Sequence, residues 1–255
     1  MPLKLSEKKL IVFDLDGTLA PSKSPIDKEM GELLAKLLES YKVAVISGGM
    51  YSQFQTQFLH SLPHHNIKLS NLIILPTSGT RMYIYKGEWQ ELYAEDFSKA
   101  EKEKLIKAFD VAMKKGHYMK PQKIFGEILE DRDSQFTFSG LGQKAPIDLK
   151  EKWDPDRSIR EAMVKELVKL LPEFDIRIGG ATSIDITKRG VNKSYGIRKL
   201  EIYTNLHIDE MLFVGDALYV GGNDYPARAT GVDCIQVSGP EESKEVIRNI
   251  LVLGK

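Results

Sequence analysis

Four consecutive apolar residues, Leu10-Ile11-Val12-Phe13, run without interruption into Asp14. A short unbroken run of this kind, rich in β-branched and aromatic residues, predicts a strand buried on both faces. Residues 43–46, 72–75 and 211–214 repeat the form, and 234–237 adds a further strand. Between the first three runs the period changes. Met30, Leu33, Leu34, Leu37 and Leu38 follow the 3.6-residue spacing of an amphipathic helix, with Asp27 placed to cap it. Tyr51, Phe54, Phe58 and Leu59 mark another helix. Strand, helix, strand, helix, strand predicts a parallel sheet with crossover helices.

The pattern breaks near residue 80. Residues 81–85 and 88–93 flank Lys86-Gly87 as a hairpin would. A charged helix follows, with Leu105, Ile106, Phe109 and Met113 on its apolar face and Gly116 as its stop. Residues 124–131 and 135–141 predict a second hairpin. Asp154 or Asp156 is placed to cap a helix carrying Ile159, Met163, Leu167 and Leu170, and 174–178 and 183–186 add two short strands. Alternation returns after Lys188: a helix from about Asn192, the strands at 211–214 and 234–237, and a closing helix over 241–251. The expected fold class is therefore α/β, a Rossmann-like core with a parallel sheet made from residues 1–86 and 188–255. An inserted α+β domain, residues 87–187, interrupts it.

Charge and cysteine content narrow the function classes. The chain has 255 residues, with Lys plus Arg and Asp plus Glu equal at 36 each. Bulk charge thus drives it toward neither nucleic acid nor a membrane surface. Cys234 is the only cysteine, which excludes an internal disulfide and the cysteine-built zinc and redox motifs. No apolar run approaches the roughly 18 residues of a membrane span. The stretch Met1 to Lys9 is too polar for a secretory signal, so the expected location is cytoplasmic.

The first strand carries the strongest chemical cue. It runs into Asp14-Leu15-Asp16-Gly17-Thr18. Residues two apart on a strand point the same way, so Asp14 and Asp16 are expected to reach one spot. An Asp-Gly turn accounts for Asp16 but not for Asp14, because a carboxylate on a buried strand is costly unless paired or bound to metal. The pair suits an aspartyl nucleophile with an acid/base beside it, and so phosphoryl transfer through a phospho-aspartate. Ligands of open parallel sheets bind at the carboxyl ends of the strands. Ser47-Gly48-Gly49, Asn192-Lys193 and Gly215-Asp216 fall at such ends or at a helix start. Ser47 either caps the next helix or, with the glycine amides, holds phosphate oxygens. Lys193 could neutralise phosphate and carboxylates together. Asp216 with Asp14 would offer hard oxygen ligands to Mg²⁺. Gly221-Gly222-Asn223-Asp224 is a tight turn that could set Asn223 on the phosphate and let Asp224 orient Lys193.

In order, Asp14-Leu15-Asp16-Gly17-Thr18, Ser47, Lys193 and Gly215-Asp216 with Asn223-Asp224 resemble the four motifs of the haloacid-dehalogenase superfamily of phosphotransferases. The resemblance implies Asp14 as nucleophile and Asp16 as general acid/base. It implies Mg²⁺ on Asp14, the Asp16 carbonyl and Asp216, and Ser47, Gly48, Lys193 and Asn223 on the transferring phosphoryl group. An insertion between the second and third motifs is similar to the larger C2-type cap. Within that branch the chain most resembles the eukaryotic-type phosphomannomutases. The segments that carry this are Pro76-Thr77-Ser78-Gly79, Gly179-Gly180-Ala181-Thr182-Ser183-Ile184-Asp185, Asn192-Lys193-Ser194-Tyr195, and the Gly215-to-Asp224 stretch with its Gly-Gly pair.

By that resemblance Ser183, Asp185 and Arg132 take substrate-binding positions, as do Lys23 and Gln143 where the family has arginines. Lysine and glutamine are not equivalent to arginine for gripping phosphate. The expected activity is a Mg²⁺-dependent mutase converting mannose 6-phosphate to mannose 1-phosphate, with a hexose 1,6-bisphosphate as activator. A sugar-phosphate phosphatase is the alternative, and a non-catalytic phospho-sugar-binding protein a further one. The expected partner is a small hexose phosphate, with no nucleic acid and no membrane, on a monomer or a homodimer formed through the cap.

Overall fold

The structure is a computed structural model and describes residues 4–253; the ends of the expected core, 1–3 and 254–255, lie outside the described residues. In chain order its elements are β1 (Leu10–Asp14), α1 (Lys28–Ser40), β2 (Lys42–Ile46), α2 (Tyr51–Gln57), β3 (Leu72–Leu75), β4 (Arg81–Tyr85), β5 (Trp89–Ala94), α3 (Lys99–Lys115), β6 (Leu129–Asp131), β7 (Gln135–Ser139), α4 (Ile147–Trp153) and α5 (Ser158–Leu170). Then come β8 (Phe174–Gly179), β9 (Ser183–Lys188), α6 (Lys193–Thr204), β10 (Met211–Gly215), α7 (Tyr225–Arg228), β11 (Asp233–Gln236) and α8 (Pro240–Leu253). The chain divides into two compact units, one running up to Ala94 and resuming at Val191, the other Glu95–Gly190.

The first unit is built on a seven-stranded sheet in the order β11-β10-β1-β2-β3-β4-β5. β11 to β3 are parallel, and β4 and β5 are antiparallel additions. β1 lies between β10 and β2, with Leu10 level with both Met211 and Lys42. This position is why its apolar run has no polar break. Alternation survives inside the run: Ile11 and Phe13 pack with Leu34 and Leu37 of α1 and Ile247 and Ile250 of α8. Leu10 and Val12 pack on the other face with Ile197 and Leu200 of α6. The Asp27 side chain accepts the Met30 N–H at 2.8 Å and caps α1 as expected.

The hairpin of β4 and β5 belongs to this sheet. Tyr83 stacks on Tyr51 with ring centroids 4.1 Å apart, and the Tyr93 hydroxyl donates to the Gly79 carbonyl at 2.6 Å. Tyr93 also stacks on Tyr203 of α6. The expected boundaries of 87 and 187 are therefore replaced by Glu95 and Gly190. The hairpin turn at Lys86-Gly87 is polar and resembles a linker, but the strand after it continues the core sheet by backbone pairing.

The second unit holds a four-stranded antiparallel sheet, β6-β7-β9-β8. Phe136 and Phe138 of β7 and Ile184 and Ile186 of β9 face Leu105 and Phe109 of α3 and Met163 and Leu167 of α5. Ser98 and Glu101 close a capping box at the start of α3. Both aspartates proposed to cap α5 do so in part: Asp154 accepts the Ile159 and Arg160 N–H groups, and Asp156 accepts that of Ser158. α4, with Ile147 exposed, has too weak a periodicity to be expected. Ile106, expected on the buried face of α3, is 44% exposed, and Ala108 and Ala112 take the buried positions instead.

Phe109 is fully buried and stacks on Phe138 at 6.0 Å. Truncation to alanine removes its contacts with both helix and sheet. Phe109→Ala should destabilise the protein by about 3–5 kcal/mol in urea unfolding followed by circular dichroism.

Candidate active site

Strand alternation decides where the first carboxylate goes. Asp14 lies two residues beyond Val12, so its side chain follows Leu10 and Val12 toward α6. α6 starts at Lys193, whose Nζ lies 2.5 Å from Asp14 Oδ1 and also bonds Asp224 Oδ1. All three side chains are buried, at 1% exposure for Asp14, 3% for Lys193 and 0% for Asp224. Asn192 caps the helix that delivers the lysine, its Oδ1 accepting the Ser194 N–H at 2.8 Å. Asp224 Oδ2 accepts the Ala217 N–H at 2.9 Å, which fixes the carboxylate from the far side. Gly215 leaves room for this: a Cβ there would stand 2.5 Å from Asp224 Oδ2.

Asp216 follows β10 and is half-buried. The Thr18 hydroxyl sits between two carboxylates, 3.3 Å from Asp14 Oδ2 and 3.5 Å from Asp216 Oδ1. Gly17, at φ +84°, turns the chain under Asp216, where a Cβ would stand 2.6 Å from Asp216 Oδ2.

Three carboxylates thus face one ammonium. Burial opposes the charge on Lys193, but the pull of Asp14 and Asp224 outweighs it and holds the lysine above its ordinary range. Burial pushes the Asp14 carboxyl up to about 7; Lys193 pulls it down, and Asp224 and Asp216 add to the upward shift. Burial and then Asp224 raise Asp216 as well. Carboxylate oxygens of Asp14, Asp216 and Asp224 all lie within 4.8 Å of one another. Hard oxygen donors carrying surplus negative charge are what a divalent cation such as Mg²⁺ or Ca²⁺ requires.

Asp16 departs from expectation. β1 ends at Asp14, so the two-residue period does not extend to Asp16, which pairs with Ala20 in an isolated bridge. Its carboxylate accepts the Lys23 backbone N–H at 2.6 Å and the Gln53 side-chain amide at 3.3 Å. Lys23 meets Asp16 through its backbone, held at φ 57°, while its side chain is exposed. Ser47 does not cap α2, because Met50 holds that position. The Ser47 Oγ accepts the Gly49 N–H at 3.1 Å, and its carbonyl accepts the Ser78 N–H at 2.8 Å. Gly48 is exposed with open space beside its Cα, and Asn223 is exposed on its turn. In the sequence Thr18 stands out only as the last residue of the first motif, with no role of its own, and nothing there points to Gln53.

The second unit holds the remaining candidates. Arg132, which a hairpin turn could have left in solvent, is 19% exposed and pairs with Glu130 at 2.5 Å. Asp185 accepts the Thr137 hydroxyl at 2.7 Å and the Gln135 amide at 3.0 Å. Burial raises its carboxyl, against the pull of Thr137 and Arg132. Ser183 opens β9 opposite Gly179 and Ser139. The Gln143 Nε2 is buried and has no hydrogen-bond partner among the described residues, while the Gln143 carbonyl accepts Lys150 Nζ at 2.9 Å. Among the described residues no helix is long and apolar enough to cross a membrane.

Residues 30–253 match the sequence model of the family described as eukaryotic phosphomannomutase. The matched residues begin after Asp14 and Asp16. A phosphomannomutase of Schizosaccharomyces pombe is 29% identical over 227 residues, covering 86% of this chain and 84% of its own. A C-terminally truncated IMP-nucleotidase of Plasmodium falciparum superposes with a TM-score of 0.72 at 19% identity, over 98% of this chain and 73% of its own. A haloacid dehalogenase-like hydrolase of Bacteroides thetaiotaomicron gives 0.64 at 13% identity, over 95% and 99%. These structures share the fold, which is of the haloacid-dehalogenase type.

Asp14 titrates near 3.8 when unperturbed and about 7 in the fold, so between these values the folded state binds more protons than the unfolded one. Stability therefore falls as pH rises through that window. Asp14→Asn removes the buried charge. In chelator-treated protein its thermal midpoint should exceed that of the parent above about pH 7, and the two should converge below about pH 4.

Proposed function

This chain belongs to the eukaryotic phosphomannomutase family, and we propose that it interconverts mannose 6-phosphate and mannose 1-phosphate through a phosphoryl group carried on Asp14. It is an enzyme of the phosphotransferase and isomerase kind. The observation that carries the mechanism is a buried carboxylate at the end of a parallel strand, hydrogen-bonded to a buried ammonium that is itself anchored by Asp224.

Asp14 Oδ attacks phosphorus, and the bond from phosphorus to the sugar oxygen breaks. The electron pair goes to that oxygen, which takes a proton from Asp16 acting as general acid. The donor in this step is a hexose 1,6-bisphosphate, which leaves as a monophosphate. A hexose monophosphate then presents its free hydroxyl, and Asp16, now a carboxylate, removes the proton as that oxygen attacks the phospho-aspartate. The bisphosphate so formed turns round and returns its other phosphoryl group to Asp14, which releases the isomeric monophosphate. Lys193, the Ser47 hydroxyl, the Gly48 amide and Asn223 hold the phosphoryl oxygens, with Lys193 matching their charge. Asp224 keeps Lys193 in place, since its two oxygens are occupied by Lys193 and the Ala217 N–H.

That leaves Asp14 and Asp216, with the Asp16 carbonyl, as the groups that would hold Mg²⁺. When bound, the ion would neutralise charge on the phosphoryl oxygens and between the carboxylates. Arg132 of the second unit is the cation assigned to a phosphate that is not being transferred, with Gln143, Ser183 and Asp185 assigned to sugar hydroxyls. A hexose 1,6-bisphosphate would load the aspartate at the start of turnover.

Given Mg²⁺, mannose 1-phosphate and a catalytic amount of hexose 1,6-bisphosphate, the protein should produce mannose 6-phosphate, read by phosphorus NMR. Inorganic phosphate as the main product would replace the mutase with a phosphatase. Asp14→Asn should lower either activity by on the order of a thousand-fold or more and abolish the acid-stable, base-labile protein phosphate. EDTA should remove activity, and added Mg²⁺ should restore it.

A further inference from the structure

Asp16 lies beyond the end of β1, so nothing in the strand orients it. Its Oδ1 accepts the Lys23 N–H at 2.6 Å. Its Oδ2 accepts Gln53 Nε2 at 3.3 Å. The same amide nitrogen donates to Gln57 Oε1 at 2.7 Å, one helical turn further along α2. Gln57 is buried, and its backbone carbonyl accepts the Ile26 N–H at 2.8 Å, which ties the loop after Lys23 to the end of α2. Gln53 Oε1 lies against Gly49, in the space a Cβ at that position would fill. The amide is therefore confined on three sides: by Asp16, by Gln57 and by the bare backbone of Gly49.

We propose that Gln53 is a positioning residue that holds the Asp16 carboxyl in the orientation from which it gives and takes the substrate proton. The proposal rests on the reading of Asp16 as acid/base. The Lys23 backbone N–H holds Oδ1 and the Gln53 amide holds Oδ2, so the two donors together fix the plane of the carboxyl group. A glutamine amide suits the task because it donates without adding charge beside Asp16. Gln57 sets which way that amide faces, since its oxygen can only accept from the Gln53 nitrogen. Gly49 has a second reason to be glycine here, apart from the phosphate: any side chain would displace the amide.

The leaving group provides the test. A hexose oxygen needs a proton as it departs, whereas p-nitrophenolate leaves without one. Formation of the protein phosphate is timed by acid quench with each donor, p-nitrophenyl phosphate and mannose 1-phosphate, in Mg²⁺. The ratio of the two rates is the readout. Gln53→Ala should raise the aryl-to-hexose ratio about ten-fold. Gln53→Glu, which keeps the shape and loses the donor, should raise it at least as much. Gln57→Leu should shift it the same way by less. Gly49→Ala combined with Gln53→Ala should add little to Gln53→Ala alone. Asp16→Asn is the reference and should raise the ratio on the order of a hundred-fold or more.

If Asp16→Asn shifts the ratio and neither Gln53 variant does, or if the Gln53 variants slow both donors equally, the positioning role is overturned and the acid/base reading stands. If Asp16→Asn slows both donors equally, the acid/base reading fails and the proposal with it.

Discussion

The ammonium of Lys193, buried between Asp14 and Asp224, is the interaction on which the remaining geometry of the first unit depends. An ammonium removed from water is tolerated only when carboxylates surround it, and a carboxylate on a central strand is tolerated only with such a partner. Each group makes the others possible. Asp224 is fixed in turn by the Ala217 N–H and by the missing side chain at Gly215. The motif residues of β1, β10 and α6 are thereby committed to a single point at the carboxyl edge of the sheet.

One positive charge does not balance three negative ones. Asp14, Asp216 and Asp224 keep a surplus; burial first, and then the neighbouring Asp224 and Asp216, raise the carboxyl of Asp14 against the pull of Lys193. A fold selected only for stability would not keep this arrangement, because apolar residues at positions 14, 193 and 224 together would remove the penalty. The surplus makes sense as a standing attraction for a divalent ion, which would in turn offset the negative charge of a phosphate ester. Stability and chemistry oppose each other at this position, and the structure sets aside some of the former.

The two carboxylates of the first motif are held by different means. Asp14 inherits its direction from the pleat of β1. Asp16 receives its direction from a loop, from a left-handed Lys23 whose backbone is the donor, and from a glutamine on α2. The nucleophilic role proposed for Asp14 gains from the rigidity of a central strand. The acid/base role proposed for Asp16, which serves two different oxygens in one cycle, suits a carboxylate held by hydrogen bonds that can be remade.

Most of the first unit could be read along the chain, because buried parallel strands and their crossover helices are local patterns with fixed periods. Leu72–Leu75, the Asp27 cap and the start of α6 at Lys193 were expected almost to the residue. Asp14 and Asp216 could be picked out as well, since charge at the end of an apolar run is anomalous wherever it occurs, whereas Lys193 was legible only from its place at a helix start and from the motif resemblance. Pairing and direction could not be read in this way. That β5 continues the core sheet depends on a backbone ladder and on Tyr93 reaching α6, contacts between residues far apart in sequence. That Asp16 turns toward Gln53, that Lys23 contributes its N–H and not its ammonium, and that Arg132 is sheltered by Glu130 all depend on where loops close. Periodicity describes which side of an element a residue occupies; it carries no information about a residue beyond the element's end, where position is set by distant packing.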